Sequence, residues 1–228
     1  MVGTGPDVGG IGPVEDSLLW SSLAGQPVVS WSVRALVAVP RISEVVLLIA
    51  SGREADAARL EAELGRHIIS LPATADDPVL ACLEVLSPRF DLVVLHHGNR
   101  PLISASSIDR GITVAEGHPG SGVVASEPVR ETIKRADGGL VVETLPRSEL
   151  VLLQSPQIYP RAELIRAYSV YPTSAAPSPG GAPPDRVWLS AGSPLVPFYF
   201  SGENDSEGLT IYTGDDLLLA EVSLGERG

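Results

Sequence analysis

The sequence predicts an α/β fold, a doubly wound and mostly parallel sheet with a projecting hairpin, on three observations. Short β-branched apolar runs alternate with helical patterns, an Asp-Gly-Gly turn joins two further β-rich runs, and 228 residues at 44% hydrophobic content can bury a full core. The runs Glu44 to Ala50 (EVVLLIA), His67 to Leu71 (HIISL) and Asp91 to Leu95 (DLVVL) have the composition of strands covered on both faces. Between them, residues 54–66 carry Ala57, Leu60 and Leu64 at helical spacing, and residues 76–86 carry Val79, Leu80, Leu83 and Leu86. This alternation implies right-handed crossovers, with ligands at the carboxyl ends of the strands.

Further helices are expected over 106–115 and 161–168, a strand over Leu195 to Phe200, a short strand over Leu209 to Thr213 and a closing helix over Asp215 to Val222. The segment PTSAAPSPGGAPP, residues 172–184, reads as a flexible loop. Thr132 to Arg135 and Leu140 to Leu145 flank Ala136-Asp137-Gly138-Gly139, whose glycines supply the positive backbone angles of a tight hairpin. Residues 130–150 therefore read as a β-arm on a single domain spanning 1–228, with no internal repeat.

Acidic residues number 28 against 16 lysines and arginines, a net charge of −12, which argues against nucleic acid or an anionic membrane as partner. One cysteine, Cys82, sits in the apolar pattern PVLACLEVL and reads as a core residue in a reducing compartment. The first residues lack the basic region and apolar run of a signal peptide, and no stretch reaches membrane-spanning length. A cytoplasmic protein is the expectation.

Four stretches carry a family resemblance: SLAGQPVVSWSVRAL (22–36), FDLVVLHHGNRP (90–101), TIKRADGGLVVETLPRSELVLLQSPQ (132–157) and TIYTGDDLLLAE (210–221). Together they resemble the 2-C-methyl-D-erythritol 4-phosphate cytidylyltransferases, which couple CTP to a branched sugar-alcohol phosphate in isoprenoid synthesis. The resemblance implies a Rossmann-like nucleotidyltransferase fold, CTP and Mg2+ as ligands, and a homodimer in which the arm at 130–150 helps complete the partner's site. It places Thr132 and Arg147 on the methylerythritol phosphate, Ser155 where the family usually has threonine, and Arg100 near the nucleotide. On the residues alone, Arg147 could equally pair with an acidic neighbour such as Glu149.

The departures from that family concern charge. Nucleotidyl transfer crowds negative charge into one pocket, so a protein must provide cations, a metal and oriented backbone N–H groups. The family does so with a loop written A-A-G-x-G-x-R-M-G followed by P-K; here the text is GPDVGGIGPVEDSLLW, residues 5–20, with Ile11 for the arginine and Leu18 for the lysine. Asp7, Glu15 and Asp16 add negative charge, and no lysine or arginine precedes Arg34. Each close carboxylate–phosphate pair is unfavourable by about 1 kcal/mol even in water. Only Met1 to Thr4 precede the glycines, so an unanchored tail is favoured over a phosphate loop.

His97 stands where the family's H-D-A-A-R-P has an aspartate, and imidazole is a poor ligand for Mg2+. His96 and His97 would point to opposite faces of a strand with no third ligand evident, so no metal site is assigned. The base-recognition text G-G-x-x-R-x-x-S becomes Leu71 to Pro78 without its glycines, arginine or serine, and N-I-K-I-T becomes Gly208 to Tyr212, with Thr210 for the lysine. The sequence therefore reads as an inactive or strongly impaired member of that family, a pseudoenzyme that acts through protein contacts with a partner the sequence does not identify. The alternative is an active cytidylyltransferase with an unusual nucleotide loop.

Overall fold

The computed structural model describes residues 2–3, 16–72, 77–172, 182–200 and 205–225. The chain opens with β1 (Val2–Gly3) and α1 (Asp16–Leu19), then a small hairpin of β2 (Ser22–Leu23) and β3 (Gln26–Pro27) leading into α2 (Val28–Val37). The predicted alternation follows as β4 (Val45–Ile49), α3 (Glu54–Leu64), β5 (Ile68–Pro72), α4 (Pro78–Val85), β6 (Leu92–His97) and α5 (Ala105–Gly117). Next come β7 (Gly122–Pro128), the arm strands β8 (Lys134–Asp137) and β9 (Leu140–Thr144), and the long β10 (Val151–Pro160). Helices α6 (Arg161–Val170) and α7 (Pro184–Ser190), strand β11 (Leu195–Tyr199) and helix α8 (Gly214–Gly225) complete the order.

Local chemistry sets several boundaries. Asp77 caps α4 by accepting the Leu80 N–H at 3.0 Å, with Pro78 at the first turn, and Ser104 caps α5 by accepting the Ser107 N–H at 3.1 Å. Helix α3 stops at Gly65 in the left-handed region. In the arm, Asp137 pairs with Leu140, leaving Gly138 (φ 54°) and Gly139 (φ 82°) as the two-residue turn that the sequence requires there.

Seven strands form one sheet in the order β11-β7-β10-β6-β1-β4-β5, and every strand except β10 runs the same way. Alternate residues separate the two faces. Leu47, Ile49, Val123, Ala125 and Phe198 pack with Val29, Val33, Leu36, Leu60, Ile108 and Ile112 of α2, α3 and α5. Val46, Leu48, Val93, Leu95 and Val124 pack on the other side with Leu83, Leu164 and Trp188 of α4, α6 and α7. Cys82 is fully buried there, and burial pushes its thiol up to about 12, in keeping with a core role.

Two expectations are corrected. The first residues are not an unanchored tail: Val2 and Gly3 pair with Leu47 and Leu48 of β4 and with His96 and His97 of β6, in mid-sheet. Between two parallel strands, only a third strand satisfies both facing rows of backbone donors and acceptors. Residues 4–15, with Asp7, Ile11 and Glu15, lie outside the described residues. The strand expected over Leu209 to Thr213 does not form. A 3-10 turn at Asp205–Gly208 leads into irregular chain that runs beside the loop after β6, where Ile211 N–H donates to Asn99 O at 2.9 Å.

Most of the proline-rich segment 172–184 and part of the base-recognition text at 71–78 also fall outside the described residues. Among the described residues, no helix is long and apolar enough to cross a membrane.

Candidate functional site

The carboxyl edge of the sheet gathers the loop after β6, the start of β10 and the segment from Asp205 to Ile211. At its centre His96 is fully enclosed, with Nε2 3.2 Å from Arg100 O and Nδ1 3.1 Å from Ser155 Oγ. A carbonyl can only accept, so the ring proton resides on Nε2 and Nδ1 accepts from the Ser155 hydroxyl. That hydroxyl oxygen in turn accepts His97 N–H at 3.2 Å. Burial, the dominant cause, holds the imidazole pKa down to about 3, and the directed chain of bonds suits the neutral ring. From α2, Ser32 Oγ lies 3.1 Å from the carbonyl oxygens of both Gly98 and Arg100, holding the loop to the helix beneath it.

Arg100 is 9% exposed and donates from one terminal nitrogen to Gln154 Oε1 at 2.8 Å and to Gly208 O at 3.0 Å. Asn99 Nδ2 donates to Ile211 O at 3.2 Å, pairing the two segments in both directions. Glu207, 3% exposed, sits on the amino end of α5: one carboxylate oxygen accepts Ser104 N–H at 3.2 Å and the other accepts the Ser107 hydroxyl at 2.6 Å. Gly208 has no room for a side chain, since a Cβ there would collide with the Glu127 carboxylate and lie 3.0 Å from Gln154 Oε1.

The structure brings Arg100 and Ser155 into this buried cluster. Thr132 and Arg147 lie elsewhere, exposed at the base of the arm, and among the described residues neither hydrogen-bonds to the cluster. Arg147 opens a 3-10 turn and donates to Arg130 O at 3.0 Å; it forms no ion pair with Glu149. The arm itself is two-stranded and separate from the main sheet, with Leu140, Val141 and Val142 more than half exposed. Val151, Leu152 and Leu153 at the start of β10 add a second exposed apolar run.

Among the described residues the donor set at this edge does not suit Mg2+. Position 97 offers an imidazole, the Glu207 carboxylate is taken by Ser104 and Ser107, and among the described residues no three His, Cys, Asp or Glu side chains converge on one point. Thr210 is half-buried, and its hydroxyl turns back 3.4 Å from Gly208 O.

Sequence reasoning does not single out Asn99, Gln154, Glu207 or Gly208 as site residues. Asn99 and Gln154 fall inside the family-like stretches, so proximity to Arg100 and Ser155 is the available signal. Gly208 opens the segment matched to N-I-K-I-T, whereas Glu207 carries no such signal, because its partners are about a hundred residues away in the chain.

This sheet order, with its loops gathered at the carboxyl edge, is a Rossmann-like α/β architecture of the nucleotidyltransferase kind. Solved structures agree: 4-diphosphocytidyl-2C-methyl-D-erythritol synthase from Anaerococcus prevotii matches with a TM-score of 0.81 at 18% identity, over 98% of this chain and 96% of that one. The 2-C-methyl-D-erythritol 4-phosphate cytidylyltransferase of Thermus thermophilus matches with a TM-score of 0.72 at 20% identity, over 99% and 97%. The model of the 2-C-methyl-D-erythritol 4-phosphate cytidylyltransferase family matches residues 12–226, and the chain belongs to that family.

Among relatives bearing that enzyme name, the Halorhodospira halophila protein is 35% identical over 153 residues, 64% of this chain and 62% of the relative. The Carboxydothermus hydrogenoformans protein is 28% identical over 152 residues, 65% and 64%. The Xanthomonas oryzae pv. oryzae protein is 30% identical over 210 residues, 90% and 74%. The matched stretch thus spans just under two thirds of the first two of these relatives.

Proposed function

We propose that this chain is a cytidylyltransferase-family member whose nucleotide end is degraded, so that CMP transfer from CTP to methylerythritol phosphate is lost or strongly reduced. The observation carrying this reading is the inward engagement of Arg100: the arginine matched to the nucleotide is buried and directs hydrogen bonds to Gln154 and Gly208. Leu18, His97 and Thr210, where the family places lysine, aspartate and lysine, leave little countercharge to replace it. Loss of one such charge-stabilising group costs about 3 kcal/mol of transition-state stabilisation, roughly a hundredfold in rate, and several losses compound. The sugar-phosphate end persists in this reading through Thr132 and Arg147, while Ser155 contributes by holding the loop rather than by touching ligand.

Residues 130–150 form the dimer arm, which the exposed apolar side chains at 140–142 and 151–153 support, since large exposed patches of this kind favour association. The protein acts in the cytoplasm as a homodimer or paired with an active relative. A second reading, an active enzyme with an unusual loop, is favoured by one observation: β1 occupies mid-sheet, so the chain leaves Gly3 at the carboxyl edge, where a nucleotide loop belongs.

Calorimetry with CTP and Mg2+ separates the two. No heat with CTP, alongside measurable methylerythritol phosphate binding that is lost in Arg147→Ala, supports the degraded site; micromolar CTP binding with turnover establishes the second reading.

A further inference from the structure

We infer that residues 205–208 form a built-in latch that closes over Arg100 at the carboxyl edge of the sheet, anchored by Leu209 and Ile211. The inference deepens the degraded-site reading and rests on it for its consequence, an arginine covered by the chain's own later segment rather than by ligand. Ile211 is fully buried among Leu23, Val28, Leu102 and Ala220, with Leu209 packed against the same cluster, an apolar anchor in which Ile211 also carries the reciprocal bonds to Asn99. Before that anchor the attachment changes character. The Asp205–Gly208 turn belongs to no sheet, and polar grips fasten it, among them Glu207 on Ser104 and Ser107, and Gly208 O on Arg100.

Short segments held by polar contacts, without a hydrogen-bonded ladder or much apolar burial, open at far lower cost than the global unfolding free energy. Each grip occupies a group that could otherwise serve an anion. The Glu207 carboxylate covers the first turn of α5 with its N–H and hydroxyl donors, and the Gly208 carbonyl takes a guanidinium N–H of Arg100. Gln154 holds the same Arg100 nitrogen from β10, so latch and strand together pin the guanidinium. The lack of a side chain at Gly208 permits the close approach to Gln154 and Glu127 that this closure needs.

Hydrogen exchange on the unaltered protein gives the first test. Ser104 N–H, bonded to Glu207, and Leu209 N–H, bonded to Ser206 O in the turn, should exchange at least tenfold faster than Ile211 N–H, bonded to Asn99 O in the anchor. Equal protection at all three positions overturns the latch. Phenylglyoxal labelling with peptide mass mapping gives the second. Arg100 should react slowly in the wild type, and at least tenfold faster in Glu207→Gln and Gln154→Ala variants of unchanged circular dichroism. An unchanged Arg100 rate in both folded variants also overturns it. Neither readout involves a nucleotide, so CTP binding by the wild type would sink the degraded-site reading while leaving the latch measurements decisive.

Discussion

The Ser155 hydroxyl lies 3.1 Å from Nδ1 of His96, and because the far side of the ring faces Arg100 O, the serine must be the donor. The bond joins β10 to β6 at the point where the loop carrying Arg100 departs. Its oxygen also receives His97 N–H, so one hydroxyl serves both strand and ring. Removing it affects the loop's foundation before it affects any ligand.

Ser155→Ala should therefore destabilise the protein by about 1–3 kcal/mol, the range for leaving buried polar partners unsatisfied. Urea denaturation monitored by circular dichroism measures it. A change below about 0.5 kcal/mol would show that the His96 and His97 partners find water instead.

The enclosed His96 ring sets a pH dependence. Its pKa is lowered to about 3 in the fold from an ordinary value near 6.5, so between these values the unfolded chain takes up a proton that the folded chain refuses. The contribution is complete above pH 6.5 and is lost as pH falls, by about 2 kcal/mol at pH 5. Burial raises the carboxyls of Asp77 and Asp185, which act in the opposite sense, so the quantity to measure is the difference between wild type and His96→Gln. That difference should shrink as pH drops from 7 to 5; a constant difference refutes the assignment.

Two glycines should respond oppositely to alanine. At Gly122 a Cβ would stand 2.6 Å from the fully buried Tyr159 ring and 2.7 Å from the tip of half-buried Leu195; because the ring has no room to give way, Gly122→Ala should cost about 1–3 kcal/mol. At Gly117, at the end of α5, nothing lies within 4 Å and the backbone is helical, so Gly117→Ala should stabilise by up to about 1 kcal/mol. Calorimetric melting of both variants checks the pair together.

Deleting residues 136–139, or substituting Val141→Asp on the exposed arm, should weaken self-association at least tenfold without lowering the melting temperature of the sheet. Size exclusion with light scattering reports it. A wild-type protein that is monomeric at all concentrations removes the arm from any role in pairing two copies.

Periodicity alone placed the elements whose burial pattern is local. Strands β4, β5 and β6, helices α3 to α6, the hairpin glycines and the strand at 195–200 could all be read from apolar spacing and turn chemistry, with ends shifted by a few residues. That works because side-chain period and backbone angle are properties of neighbouring residues. The central place of Val2 and Gly3, the antiparallel insertion of β10 between β6 and β7, and the absence of a strand at 209–213 depended on which backbone edges remained to be paired once the sheet assembled.

The site divides in the same way. Residue types pointed to the family and raised the expectation that its lysines and aspartate are replaced, since charge is written in the sequence. The hydrogen bonds of Arg100 were decided by Gln154 and Gly208, brought from 54 and 108 positions away. Long-range hydrogen bonds of that kind form only after the hydrophobic layers have brought distant segments together, and no local pattern encodes them.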